Sequence, residues 1–161
     1  MKRIWAPWRG KFITAGKQQK ACIFCRAAAS RYRQRHLVVD RSEHSFSVLN
    51  LYPYNNGHIM VAPKAHISSL ELLSGKETMD LVGLLNETTA LLRKALSPDG
   101  FNIGINTGKV AGAGYPGHLH IHVVPRWSGD TNFMPVLSNT KVISESLKAL
   151  YDRLRQNVKK C

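Results

Sequence analysis

A chain of 161 residues, 43% hydrophobic and 20% charged, is the size of one domain with one core, which excludes wholesale disorder. No apolar run approaches the roughly eighteen residues of a membrane span, the run after Lys2 and Arg3 breaks at Arg9, and three cysteines cannot build a disulfide framework; a cytosolic protein with no membrane partner is expected. The net charge of +13 is uneven: residues 1–41 carry eleven Lys or Arg against Asp40 alone, 42–140 are near balance, and the stretch from Lys141 is basic again. A basic collar serves either a polyanionic partner (nucleic acid, nucleotide polyphosphate or an anionic surface) or solubility alone.

In chain order, residues 1–20 read as an arm carrying Trp5, Pro7 and Trp8, and Cys25–Arg35, rich in Ala and Arg, as a short helix. His36–Asp40, Ser45–Asn50 and His58–Pro63 read as strands, the last two joined through Asn56-Gly57, a pair suited to positive φ. Ser74 followed by Glu77 predicts a capping box, with Val82, Leu85, Thr89 and Leu92 at helical spacing behind it and Ser97-Pro98-Asp99-Gly100 as the stop. Phe101–Asn106 and His118–Pro125 are strands, separated by a Gly-rich loop over Thr107–Gly117. A basic amphipathic helix over 141–158 closes the chain. The prediction is one α+β domain over 1–161: an arm (1–20), a core (22–127) with a mainly antiparallel five-stranded sheet and one central helix on one face, and the C-terminal helix.

His118-Leu119-His120-Ile121-His122-Val123-Val124 alternates at period two, which places three imidazoles on one face of a strand and Leu119, Ile121 and Val123 on the other. Such a row suits a metal site or nucleophilic attack on phosphorus. The preceding loop favours phosphorus, because Gly108, Gly112, Gly114 and Gly117 let backbone N–H groups approach an anion. Gly112-Ala113-Gly114-Tyr115-Pro116-Gly117 satisfies a dinucleotide fingerprint only literally, since a strand follows it, and Gly108-Lys109-Val110 lacks the hydroxyl of a P-loop. Cys22-Ile23-Phe24-Cys25 reads as a redox pair, as two buried thiols, or as half of a structural zinc site needing two more ligands. Trp5, Trp8 and Trp127 serve either as core anchors or as adenine platforms, and Arg126 binds either phosphate or Asp130.

His118–Val124 followed by Pro125-Arg126-Trp127 resembles the histidine triad family. So do Asn50…Gly57-His58-Ile59-Met60-Val61-Ala62-Pro63-Lys64…His66, the Cys22/Cys25 pair and the opening Ile4-Trp5-Ala6-Pro7-Trp8-Arg9, and these look most like the branch of diadenosine tetraphosphate phosphorylases and hydrolases. The resemblance implies the fold of that family, a homodimer, and His120 as a nucleophile that attacks an α-phosphate to give a nucleotidyl-histidine. It also implies His122 as a phosphate donor, Asn50 on ribose with His58 nearby, and Asn106 with Gly112, Gly114 and Gly117 on phosphate. Cys22, Cys25, His66 and His118 are implied as a structural zinc set, with no organic cofactor. After Ala111-Gly112 this chain is one residue longer than many members and lacks their Gln and Thr or Ser, so its leaving-group contacts differ.

The expected activity is cleavage of a dinucleoside polyphosphate at the α-phosphate, with water or inorganic phosphate as acceptor. The alternatives are an adenosine phosphoramidate hydrolase, a nucleic-acid or nucleotide binder using the basic collar, and a hydrolase whose three histidines share a catalytic metal.

Overall fold

A computed structural model describes residues 21–130 and 145–158. The predicted arm with Trp5 and Trp8, the first residues of the predicted C-terminal helix, and Cys161 lie outside the described residues.

The sheet is assembled from antiparallel neighbours. β1 (Val38–Arg41), β2 (Ser45–Leu49), β3 (Ile59–Pro63), β4 (Gly100–Ile105) and β5 (Ile121–Arg126) lie in the order β1-β2-β3-β5-β4. The α+β class with a five-stranded antiparallel sheet is as expected. β2 and β3 are joined by the Asn-Gly turn, and Gly57 takes φ 76°. A Cβ there would stand 2.5 Å from Leu96 Cδ1 and 3.0 Å from Pro125 Cγ, so both conformation and space demand glycine.

Helix α1 spans Ile23–Ala29, α2 Gly75–Leu96 and α3 Leu147–Asn157. α2 opens on the predicted capping box: Ser74 Oγ accepts from Glu77 N, and Glu77 Oε2 accepts from Ser74 N at 2.9 Å. Its buried stripe is Leu81, Leu84, Thr88 and Leu92, one position N-terminal of the predicted Val82, Leu85 and Thr89. Periodicity fits both stripes, and docking on the sheet selects the former, leaving Val82 44% exposed.

Several boundaries also differ. The first helix runs over Ile23–Ala29 rather than 25–35, because Arg41 Nη2 takes the carbonyls of Ala27 (2.8 Å) and Ser30 (2.7 Å) and Ser30 Oγ accepts from Tyr32 N. A 3-10 turn over Gln34–His36 and a left-handed Leu37 (φ 55°) then delay β1 to Val38. The C-terminal helix begins at Leu147, capped by Ser146 Oγ on Ala149 N.

The sheet is covered on both faces, not one. Leu49, Ile59, Val61, Leu119, Ile121 and Val123 pack beneath α2 and α3, against Leu81, Leu84, Leu92, Leu150, Tyr151 and Leu154. On the opposite face Phe46, Val48, Met60 and Ala62 meet Phe24 and Ala27 of α1. β2 and β3 are buried at every position, which needs two cover layers, and the short helix supplies the second. No helix among the described residues is long and apolar enough to cross a membrane.

Candidate active site

The histidine row lies on the α1 face of the sheet. His122 is opposite Met60 on β3 and Gly104 on β4. The row is only partly in a strand: β5 begins at Ile121, not His118. The β3 ladder stops at Val61, and Leu119 N bonds Ile67 O at 2.6 Å instead. The inward and outward alternation survives, with Leu119, Ile121 and Val123 in the α2-side core.

Hydrogen bonds fix the protons on these rings. Tyr54 N–H donates to His58 Nδ1 at 3.0 Å, so the neutral His58 ring carries its proton on Nε2 and donates it to His122 Nδ1 at 2.9 Å. His122 accordingly holds its own proton on Nε2. His120 Nδ1 donates to its neighbour's carbonyl, His118 O, at 2.8 Å, which leaves the Nε2 lone pair of His120 for other work. Burial lowers the affinity of His120 for a second proton, against a smaller opposing effect of the His118 carbonyl, so the ring is neutral at pH 7. Phe24 stacks on His118 and His120 with centroids 5.0 and 4.7 Å away, closing one side of the row. On the other side Gly104 presents no side chain beside His122, and a Cβ there would meet nothing within 4 Å, so the face stays open for a ligand.

The expected ligand residues are only partly gathered here. Asn50 Nδ2 reaches His58 Nδ1 (3.3 Å) and its Oδ1 accepts from Tyr52 N (2.9 Å), so one N–H and one lone pair of the carboxamide remain for a ligand. Asn106 immediately follows β4. The glycine loop is less of an anion nest than expected: Gly112 (φ 90°) gives its N–H to Lys109 O, and Ala113 gives its own to Gly108 O. Both are spent on the loop's own turn. Gly114 is exposed, and Gly117 sits beside His66, where a Cβ would lie 3.9 Å from Nε2. Arg126 pairs with Asp130 through Nε–Oδ2 (2.6 Å) and Nη2–Oδ1 (2.9 Å), resolving its two readings toward structure. Trp127 Nε1 donates to Ser97 O and fastens the end of α2.

Cys22, Cys25, His66 and His118 bring four ligand atoms within 4.8 Å of one another. Both thiols are free and half-buried, not fully buried as in the buried-thiol reading. Nδ1 of His118 lies 3.4 and 3.7 Å from the two sulfurs and 3.3 Å from His66 Nδ1, while Cys25 Sγ is 3.2 Å from His66 Nδ1. A tetrahedron with bonds of about 2.3 Å to sulfur and 2.0–2.1 Å to nitrogen has edges of about 3.3–3.8 Å, so these donors fit a tetrahedral metal. His118 Nε2 donates to Pro63 O at 2.9 Å, which points Nδ1 into the cluster as a metal ligand requires. Burial, and then Cys22, push the Cys25 thiol up, a cost that a cation between the thiols would reverse. Neither His120 nor His122 belongs to this cluster, so the reading in which all three histidines share one metal is not supported.

Tyr54, Phe24, Pro63 and Ile67 were not anticipated. Pro63 and Ile67 act through backbone atoms, which leave no trace in side-chain identity. Tyr54 acts through its N–H and also sets its ring 4.7 Å from that of His58 and 5.8 Å from that of His122, while Phe24 is an aromatic between the two thiols.

The HIT domain family model matches residues 32–129. The AP-4-A phosphorylase of Mycobacterium tuberculosis is 35% identical over 155 residues, 92% of this chain and 80% of that protein. The adenosine 5'-monophosphoramidase of Schizosaccharomyces pombe is 25% identical over 139 residues, 86% of this chain and 99% of that protein. Among solved structures, a Zn-bound histidine triad family protein from Mycobacterium smegmatis superposes with TM-score 0.66 at 25% identity, covering 85% of this chain and 92% of that one.

Proposed function

This chain belongs to the HIT domain family, and from that membership and its histidine geometry we propose that it cleaves a dinucleoside polyphosphate such as diadenosine tetraphosphate through a nucleotidyl-histidine. The carrying observation is the pair of fixed tautomers, His120 with its lone pair on Nε2 and His122 with its proton there. His120 Nε2 attacks the α-phosphorus, the N–P bond forms, and the P–O bond to the leaving nucleotide breaks. His122 Nε2–H donates to the phosphoryl group, where charge builds. Water or inorganic phosphate then attacks the same phosphorus and releases His120. His118 contributes its carbonyl, which orients His120; Asn50 offers its remaining N–H and lone pair to ribose hydroxyls; and Asn106, Gly114 and Gly117 are the groups assigned to the phosphates in this reading.

The Cys22, Cys25, His66 and His118 set is read as a structural zinc site, supported by its donor chemistry and tetrahedral edges. Zinc there would tie α1 to the segment entering β5 and so hold Phe24 over the row.

The likeness to an AP-4-A phosphorylase favours phosphate as acceptor; the likeness to a phosphoramidase supports the second reading, hydrolysis of adenosine phosphoramidates. Product analysis on diadenosine tetraphosphate separates them. ADP formed with ATP only when phosphate is present indicates phosphorolysis, AMP and ATP regardless of phosphate indicates hydrolysis, and no turnover beside rapid phosphoramidate cleavage rejects the dinucleotide reading.

A homodimer fits this reading. β4 is an edge strand whose Gly100-Phe101-Asn102-Ile103-Gly104-Ile105 carries no charge or proline to deter pairing, and Ile103 is 48% exposed.

A further inference from the structure

The histidine chemistry proposed above uses none of the described arginines of the basic collar. Apart from Arg26 on α1, its described arginines before β2 lead into or lie on β1, which is separated from β5 by β2 and β3, about 14 Å at ordinary strand spacing. Residues 21–41 supply five arginines, no lysine and one acid, Asp40. Among the described residues no carboxylate lies within ion-pair distance of Arg26, Arg31, Arg33, Arg35, Arg41 or Arg155; the acids of α3 are engaged elsewhere, Asp152 with Lys148 and Glu145 with Arg153.

Two of these guanidiniums are held in place. Arg41 is anchored on the carbonyls of Ala27 and Ser30, and Arg155 Nη1 on Val39 O at 2.7 Å. Their charges, with that of Arg33, are felt at Tyr151: burial pushes that phenol up, Arg155, Arg33 and Arg41 pull it down, and Asp152 works against them. Burial, and then the Arg33 charge, lower the pKa of Arg41, a like-charge crowding that a phosphate would relieve. In the middle of the run, Arg31-Tyr32-Arg33-Gln34-Arg35-His36, Tyr32 stands 75% exposed on a turn closed by Ser30 Oγ and Tyr32 N at 3.1 Å. An exposed aromatic among phosphate-binding forks is the construction that stacks a base while the arginines track the backbone.

We infer that the Arg31–His36 turn, with Arg41 and Arg155, is a binding surface for single-stranded nucleic acid, separate from the histidine row. A bilayer is the poorer partner, because the apolar stripe of the basic helix α3 (Leu150, Tyr151, Leu154) is already buried on the core and leaves nothing to insert. A duplex is the poorer partner because it offers no unstacked base to Tyr32.

The test is fluorescence anisotropy of a labelled twelve-nucleotide oligouridylate with the full chain across a salt series. The expected log-affinity slope is about −2 or steeper, the value for three or more neutralised phosphates on a single strand. Arg33→Glu with Arg35→Glu should weaken binding at least about tenfold and flatten the slope. Tyr32→Ala should cost about fivefold or more on the single strand and little on a duplex of equal length. Melting temperatures within a few degrees of wild type would show that these exposed substitutions leave the fold intact. Salt-insensitive binding, unchanged affinity in the Arg33/Arg35 variant, tighter binding of the duplex, or capture by phosphatidylserine vesicles in place of the oligonucleotide would each overturn the inference.

Discussion

His120 is 6% exposed and tethered at Nδ1, so its ring has one nitrogen to offer and one direction in which to offer it. His120→Ala should lower kcat at least about 10³-fold while KM or nucleotide affinity shifts only a few-fold, since the nucleophile is lost and the binding groups are not. His58 makes a sharper test, because it takes no part in bond-making and touches the chemistry through the proton it presents to His122. His58→Gln, whose amide can still donate, should keep more activity than His58→Leu, which should lose about 10²-fold in kcat with little change in KM; equal losses would place the role of His58 elsewhere. At this scale the sequence was informative about which rings matter, since His118, His120 and His122 announce themselves by alternation. It was silent about which nitrogen carries each proton. Those protons are set by Tyr54 N–H and His118 O, backbone groups that every residue possesses.

The elements that hold the rings are tight in two places. Gly57 lets the β2–β3 turn pass against Leu96 and Pro125, and Gly57→Ala should destabilise the fold by roughly 2–4 kcal/mol, from positive φ together with overpacking, read as a lower urea midpoint at unchanged slope. Asp80 of α2 ties the β1–β2 turn, accepting from Ser42 Oγ at 2.7 Å and His44 N at 3.2 Å. Burial raises the pKa of its carboxyl, but the bonds from Ser42 and His44 outweigh it and hold the group below the ordinary aspartate range. A depressed folded-state pKa means stability present above about pH 3.9 and lost as pH falls through the folded value. Asp80→Asn should therefore cost about 1–2 kcal/mol at pH 7, and the difference from wild type should shrink as pH falls below about 3.9. The hairpin turn and the capping box were legible because each rests on local chemistry, Asn-Gly and Ser-x-x-Glu. The extent of α1 was not, since its end depends on Arg41, a residue distant in sequence that takes its last carbonyls. The buried stripe of α2 slipped by one position because Val82, Leu85 and Thr89 repeat at helical spacing as well as Leu81, Leu84 and Thr88 do.

For the molecule as a whole, the metal cluster and the β4 edge carry separate consequences. If zinc joins α1 to the entry of β5, Cys22→Ser should abolish stoichiometric metal content and lower the melting temperature by several degrees or more, whereas a mild chelator should leave turnover unchanged until the fold itself opens. Retained metal, or metal loss without loss of stability, would reject a structural site. If copies pair through β4, Ile103→Lys should shift sedimentation from dimer to monomer at micromolar concentration. Neither property was legible from the residues alone: the cysteine pair supplied two ligands, and His66 and His118 joined them only through resemblance until the fold brought all four together.

A double displacement through His120 inverts the α-phosphorus twice, whereas direct attack by water or phosphate inverts it once. The most direct measurement is therefore the stereochemical course at an isotopically chiral α-phosphate. Net retention is the result expected from a nucleotidyl-His120 intermediate; net inversion would contradict it.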